Sequence, residues 1–149
     1  MKNLAPVIFV CVLLHLLSCK KDENANSNKN ISAALIGTWE LRQTSAAMNP
    51  IATNYAPGNG NLLKFTEDKY EVYKNGVLAR RGSYAVVPDT TVETSVCLIY
   101  PDGYFTNRID YKDSVLAFKQ FIQITNDTLN IVAGCYALDA GHAVKYIRQ

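Results

Sequence analysis

From Ile36 onward, apolar and polar side chains alternate with a period of two: Trp39 and Leu41 with Glu40 and Arg42, Leu63 and Phe65 with Lys64 and Thr66, Tyr70 and Val72 with Lys69 and Glu71. That period turns one face of an extended chain toward a core and the other toward water, so these runs predict half-buried strands. Glu67-Asp68, Asn75-Gly76, Pro88-Asp89, Pro101-Asp102-Gly103 and Asn126-Asp127 separate them, each made of residues that favour turns. Asn75-Gly76 is the strongest hairpin signal, because both residues tolerate the positive φ of a type I′ turn. The candidate strands are 37–45, 61–66, 69–74, 77–87, 91–100, 104–110, 117–125, 128–133 and 142–148. Helical spacing with a cap is confined to one possible turn, 31–35, with Ser32 as its N-cap.

Short strands joined by tight turns make an antiparallel meander, whose two open edges must be covered or paired with each other. With no helices to cover them, the expectation is an all-β, antiparallel up-and-down barrel of eight strands over residues 31–149. Nine candidates are one too many for a closed antiparallel ring. Segment 104–110 has the weakest alternation and is the one to remove.

The first thirty residues follow a different pattern. Met1-Lys2-Asn3 is a positive start, and residues 4–17 are apolar apart from Pro6 and His15, too short for a bilayer span and suited to a secretory signal. Leu16-Leu17-Ser18-Cys19 resembles the lipobox of bacterial lipoproteins. The resemblance implies cleavage after residue 18, a diacylglycerol on the Cys19 thiol and an acyl chain such as palmitate on its amino group, enough for stable membrane anchoring. Residues 20–30 contain no large apolar side chain and read as a flexible tether, with a reach of about 35–40 Å. Cys19-Lys20-Lys21-Asp22-Glu23 looks like the export signal of surface lipoproteins in Bacteroidota-type bacteria, which implies an outer-membrane address, facing the periplasm or the cell surface.

The net charge of +2 belongs to this leader, since acidic and basic residues balance from Ile31 onward. A neutral domain has no electrostatic grip on a phosphate backbone, so nucleic acid is not an expected partner.

Gly37-Thr38-Trp39, opening the first strand, resembles the G-x-W signature of the lipocalins, and in particular the lipocalin-like domains of small bacterial lipoproteins. Leu62-Leu63-Lys64-Phe65-Thr66-Glu67-Asp68, Gly82-Ser83-Tyr84 and Asp127-Thr128-Leu129 are similar to that subfamily too. The resemblance implies a barrel whose closed end is plugged by Trp39, with Arg148 of the last strand packed over its ring. No T-D-Y motif is present, and no helix follows the last strand before Gln149.

The segment beyond Cys19 carries one histidine, His142, placed at a turn, and no C-x-x-C, H-x-x-H, H-E-x-x-H, G-x-S-x-G or P-loop pattern. Asp68, Asp89, Asp102, Asp113, Asp127 and Asp139 all fall at turns, where they cap backbone N–H groups. Enzymatic activity, a metal and a cofactor are therefore not expected. Cys97 and Cys135 are either bridged or two buried thiols. Asp113-Ser114-Val115 and Asp127-Thr128-Leu129 look like O-glycosylation triplets. The expected role is that of a monomeric binding module for a small apolar or amphipathic ligand, with Tyr55 in the 46–60 connection and Phe65, Tyr70, Tyr84, Phe118 and Ile122 facing it. The alternative is an interaction or inhibitor protein with a filled barrel, engaging an envelope or secreted protein through its loops.

Overall fold

The computed structural model describes residues 31–113 and 118–149; the expected signal peptide, Cys19, the tether, and Ser114 and Val115 of one triplet lie outside the described residues. Residues 31–35 are helical (α1). The strands are β1 (Gly37–Ala46), β2 (Asn49–Asn54), β3 (Leu62–Phe65), β4 (Lys69–Lys74), β5 (Val77–Pro88), β6 (Asn107–Tyr111), β7 (Gln120–Thr125), β8 (Thr128–Ala133) and β9 (His142–Arg148), with a short helix α2 (Val92–Val96) between β5 and β6. A 3₁₀ turn, Tyr136–Leu138, lies between β8 and β9.

All pairings are antiparallel, and β9 returns to β1, closing the sheet. Along β1, β9 takes one edge from Trp39 to Ala46. The other edge is shared: β3 pairs with Gly37 to Glu40 and β2 with Gln43 to Ala46. Thus β2 continues the lane of β3, and the closed ring is an eight-stranded barrel of β1 and β3–β9. Asn75 and Gly76 both have positive φ, as the β4–β5 hairpin requires.

Four details differ from the sequence pattern. Segment 91–100 is α2 and a loop, not a strand, whereas 104–110, expected to drop out, supplies β6. Within the 46–60 connection, Asn49–Asn54 form β2. Ser32 lies inside α1 rather than capping it. Phe118 precedes β7 and is exposed, not inward-facing.

The physical reason for the first exchange is a second apolar cluster. Trp39, Leu63, Phe65, Tyr70, Tyr84, Ile109, Tyr111, Ile122, Leu129 and Ile131 fill the barrel, with Leu35 of α1 beneath them. Phe121 and Val132 are cross-strand neighbours on the opposite, outer face, and Val92, Val96 and Phe105 pack on them. The apolar residues of 91–100 thus resemble a strand in composition while serving as a patch on the outside of the wall. A disulfide between Cys97 and Cys135, 38 residues apart, fastens that patch, settling the alternatives in favour of the bridge.

Candidate functional site

An up-and-down topology places the loops alternately at two ends. One end carries both described chain termini and the β3–β4, β5–β6 and β7–β8 connections; the other carries the β1–β2–β3, β4–β5, β6–β7 and β8–β9 connections.

The first end is sealed. Trp39, fully buried, donates its indole N–H to the Leu35 carbonyl at 2.8 Å. Arg148, its cross-strand partner, holds its guanidinium 4.1 Å from the ring centroid. It also donates from Nη1 to the Ile36 carbonyl at 2.8 Å and from Nη2 to the Ala34 carbonyl at 2.5 Å. These carbonyls end α1 and would otherwise lack intrahelical partners. Gly37 leaves room for the crossing: its φ is +139°, and a Cβ there would stand 2.6 Å from Arg148 Nη1. Gly37, Trp39 and Arg148 therefore meet at the floor, the arrangement that the resemblance of Gly37-Thr38-Trp39 implies.

Above the floor the interior is packed. Phe65, Tyr70, Tyr84 and Ile122 are all buried. Phe65 meets Tyr84 edge-on at 4.8 Å, and the Tyr84 hydroxyl donates to the Thr66 carbonyl at 2.7 Å. Tyr70 meets Tyr111 edge-on at 4.5 Å. Beside them, Arg80 of β5 sets its guanidinium 5.4 Å from each of the Tyr70 and Tyr111 ring centroids. Tyr146 belongs to the same group: burial raises its hydroxyl pKa to about 12, partly offset by the Arg80 charge. Burial also raises that of Tyr111, again against the opposing effect of Arg80. Both remain protonated donors at neutral pH.

Space opens toward the second end. A cavity of about 240 Å³ has Leu41, Tyr55, Val72 and Tyr146 among its walls. A second, about 260 Å³, lies between the β1–β2 hairpin and the start of β9, lined by Thr44, Ile51, Thr53, His142 and Val144 among others. Of the ligand-facing residues proposed from sequence, Tyr55 lines the first cavity; Phe65, Tyr70, Tyr84 and Ile122 belong to the packed interior, and Phe118 is exposed on the β6–β7 connection. Arg80, Tyr111 and Tyr146 went unnoticed, although the period of two gives two of them: Arg80 lies four residues before Tyr84, and Tyr146 two before Arg148.

The 46–60 segment extends the wall and is tied down. Tyr55 donates its backbone N–H to the Arg42 carbonyl at 2.9 Å. Glu40, read as a polar outward residue, is only 2% exposed. Its Oε1 accepts from the backbone N–H groups of Gly58 at 2.7 Å and Asn59 at 3.0 Å. The chain covers Glu40 because its carboxylate satisfies two amide donors of the connection at once.

Every connection at this second end carries or adjoins an exposed large apolar side chain: Met48 and Ile51, Val77 and Leu78 directly after the β4–β5 turn, Phe118, and Leu138. Leu98 and Ile99, brought there by the Cys97–Cys135 bridge, are exposed as well. Among the described residues no group of three or more His, Cys, Asp or Glu side chains could hold a metal ion, and no helix is long and apolar enough to cross a membrane. Comparison with protein-family models, curated proteins and solved structures found no match to this chain.

Proposed function

We propose that this chain is a lipid-anchored, lipocalin-like envelope protein whose barrel binds a small amphipathic ligand at the mouth opposite Trp39. The observation that carries the reading is the cavity of about 240 Å³ walled by Leu41, Tyr55, Val72 and Tyr146, which combines apolar surface with phenolic hydroxyls. It lies below the ~300–1,000 Å³ of drug-sized sites, so the ligand is small or only partly enclosed. The arrangement of the ends agrees with an anchor at Cys19: the chain enters the barrel at the floor, so a tether would leave the mouth facing away from the membrane.

The test is ligand-dependent stability. A molecule bound by the folded state alone, at a hundredfold excess over Kd, adds about 2.7 kcal/mol. Some member of a panel of fatty acids, retinoids, sterols and isoprenoids should raise the melting temperature of the purified protein, and Tyr146→Ala should weaken the shift. Absence of any shift across the panel would reject the reading. Loss of fatty-acid labelling on Cys19→Ala tests the anchor separately.

A second reading, a docking protein for another envelope component, is favoured by the apolar side chains on or beside all four connections of the mouth. Co-purification of a partner that protects the 46–60 segment from proteolysis, with no small-molecule shift, would select it.

A further inference from the structure

The two cavities of the mouth follow one another along the same three strands. On β9, His142, Val144 and Tyr146 share one face by the period of two. Val144 and Tyr146 pair in register with Ile131 and Leu129, which help fill the barrel, so that face is the inner one. On β1, Leu41 stands opposite Tyr146, Thr44 opposite Val144 and Ala46 opposite His142; on β2, Thr53 stands opposite Thr44. The pair Leu41 and Tyr146 lines the first cavity, with Tyr55. The next inner pair, Thr44 and Val144, lines the second, with Thr53. This second cavity exists because the middle strand carries small side chains, Thr44 and Ala46, between Ile51 and Thr53 of β2 and His142 and Val144 of β9. A trough results. Among the described residues that line it there is no Asp, Glu, Lys or Arg. The His142 imidazole and the Thr44 and Thr53 hydroxyls have no hydrogen-bond partner among the described residues.

We infer that the two cavities act as one elongated site for a single-chain amphiphile with an uncharged, hydrogen-bonding headgroup. The apolar chain lies on Leu41, Val72 and Tyr146, and the headgroup meets His142, Thr44 and Thr53. This rests on the binding-module reading and names its ligand class. Neither cavity, of about 240 and 260 Å³, reaches the ~300–1,000 Å³ of drug-sized sites, and the two together do. Between Leu41 and Ala46, β1 advances by about 15 Å, roughly the reach of an extended chain of about twelve carbons joined by ~1.5 Å bonds. An imidazole and two hydroxyls both donate and accept hydrogen bonds, whereas a carboxylate or an ammonium in the trough would find no opposite charge in its walls. Lys74, on the wall of the first cavity, is exposed, so its stem lies along the apolar surface while its charge stays in water.

The experiment is calorimetric titration of the purified protein with 1-lauroylglycerol, dodecanoate, dodecylamine and 1-octanol, each amphiphile below its critical micelle concentration. 1-Lauroylglycerol should bind about tenfold or more tightly than either charged probe of the same chain length, and 1-octanol, short enough for the first cavity alone, more weakly than the glyceride. His142→Ala should weaken 1-lauroylglycerol by about threefold to tenfold, as expected for loss of a neutral hydrogen bond, and leave the melting temperature of the free protein unchanged, because the imidazole has no partner to lose. Ala46→Phe, at an exposed position, should fill the trough, weakening 1-lauroylglycerol by about tenfold and leaving 1-octanol unchanged. Tighter binding of dodecanoate or dodecylamine than of 1-lauroylglycerol overturns the inference, as does insensitivity of 1-lauroylglycerol to either variant; both results leave the binding module standing. No binding by any probe, together with no shift across the wider panel, overturns both.

Discussion

Removing the indole of Trp39 tests the floor of the barrel. The side chain is fully buried, bonded to the Leu35 carbonyl at 2.8 Å and covered by Arg148 at 4.1 Å. Truncating a buried tryptophan to alanine costs about 3–5 kcal/mol through lost transfer energy and the cavity left behind. The stacked guanidinium adds about 0.5–2 kcal/mol. Trp39→Ala should therefore lose roughly 4–6 kcal/mol, a large share of the ~5–15 kcal/mol that stabilises a typical domain. Trp39→Phe is the more informative variant: it keeps much of the ring but leaves the Leu35 carbonyl without its donor, which costs about 1–3 kcal/mol. Arg148→Met keeps the aliphatic cover while removing the bonds to Ala34 and Ile36. Equilibrium urea unfolding followed by far-UV circular dichroism gives each difference, since Trp39 is the only tryptophan in the chain and fluorescence vanishes with it. The double variant Trp39→Phe with Arg148→Met should be less destabilised than the sum of the two single changes, by about 0.5 kcal/mol or more. Strict additivity, or a cost below about 1 kcal/mol for Trp39→Ala, would refute the plug.

Three further outcomes follow from the same contacts. The Cys97–Cys135 bridge closes a loop of 38 residues, so Cys97→Ser with Cys135→Ser should lose about 4 kcal/mol on the chain-entropy argument; thermal melts with and without reductant should show it in the parent and not in the double variant. Asp89 has its carboxyl lowered to about 2 from 3.8: burial pushes it up, and bonds from Thr91 and Lys119 more than offset this. Because the folded value lies below the ordinary one, the gain is complete above about pH 4 and disappears as the pH falls toward 2. The gain is about 2 kcal/mol, and acid titration of Asp89→Asn should lack that step. Glu40→Ala strips the acceptor from the Gly58 and Asn59 amides, so the connection between β2 and β3 should be cleaved faster in limited proteolysis, with a stability loss of about 1–3 kcal/mol.

Alternation along single strands, with the turn residues between them, was enough to predict the antiparallel barrel and the Asn75-Gly76 hairpin, because each depends on a local period or on turn residues and both chain ends of the meander had to meet for closure. The contact of Trp39 with Arg148 was implied only by the resemblance of Gly37-Thr38-Trp39 to a known signature. The assignment of 91–100 was not local. Val92 and Val96 take their places from Phe121 and Val132, residues distant in sequence whose outer-face position exists only once β7 and β8 are paired. A helix of five residues carries too little periodicity to announce itself, and the disulfide that holds it joins groups whose proximity is set by the same packing. Glu40 looked solvent-facing because alternation reports the face of a strand, not what later covers it. The Arg80 group combines both lessons: the phase of β5 turned Arg80 inward with Tyr84, but only closure of the barrel brought Tyr70, Tyr111 and Tyr146 from three other strands around its charge.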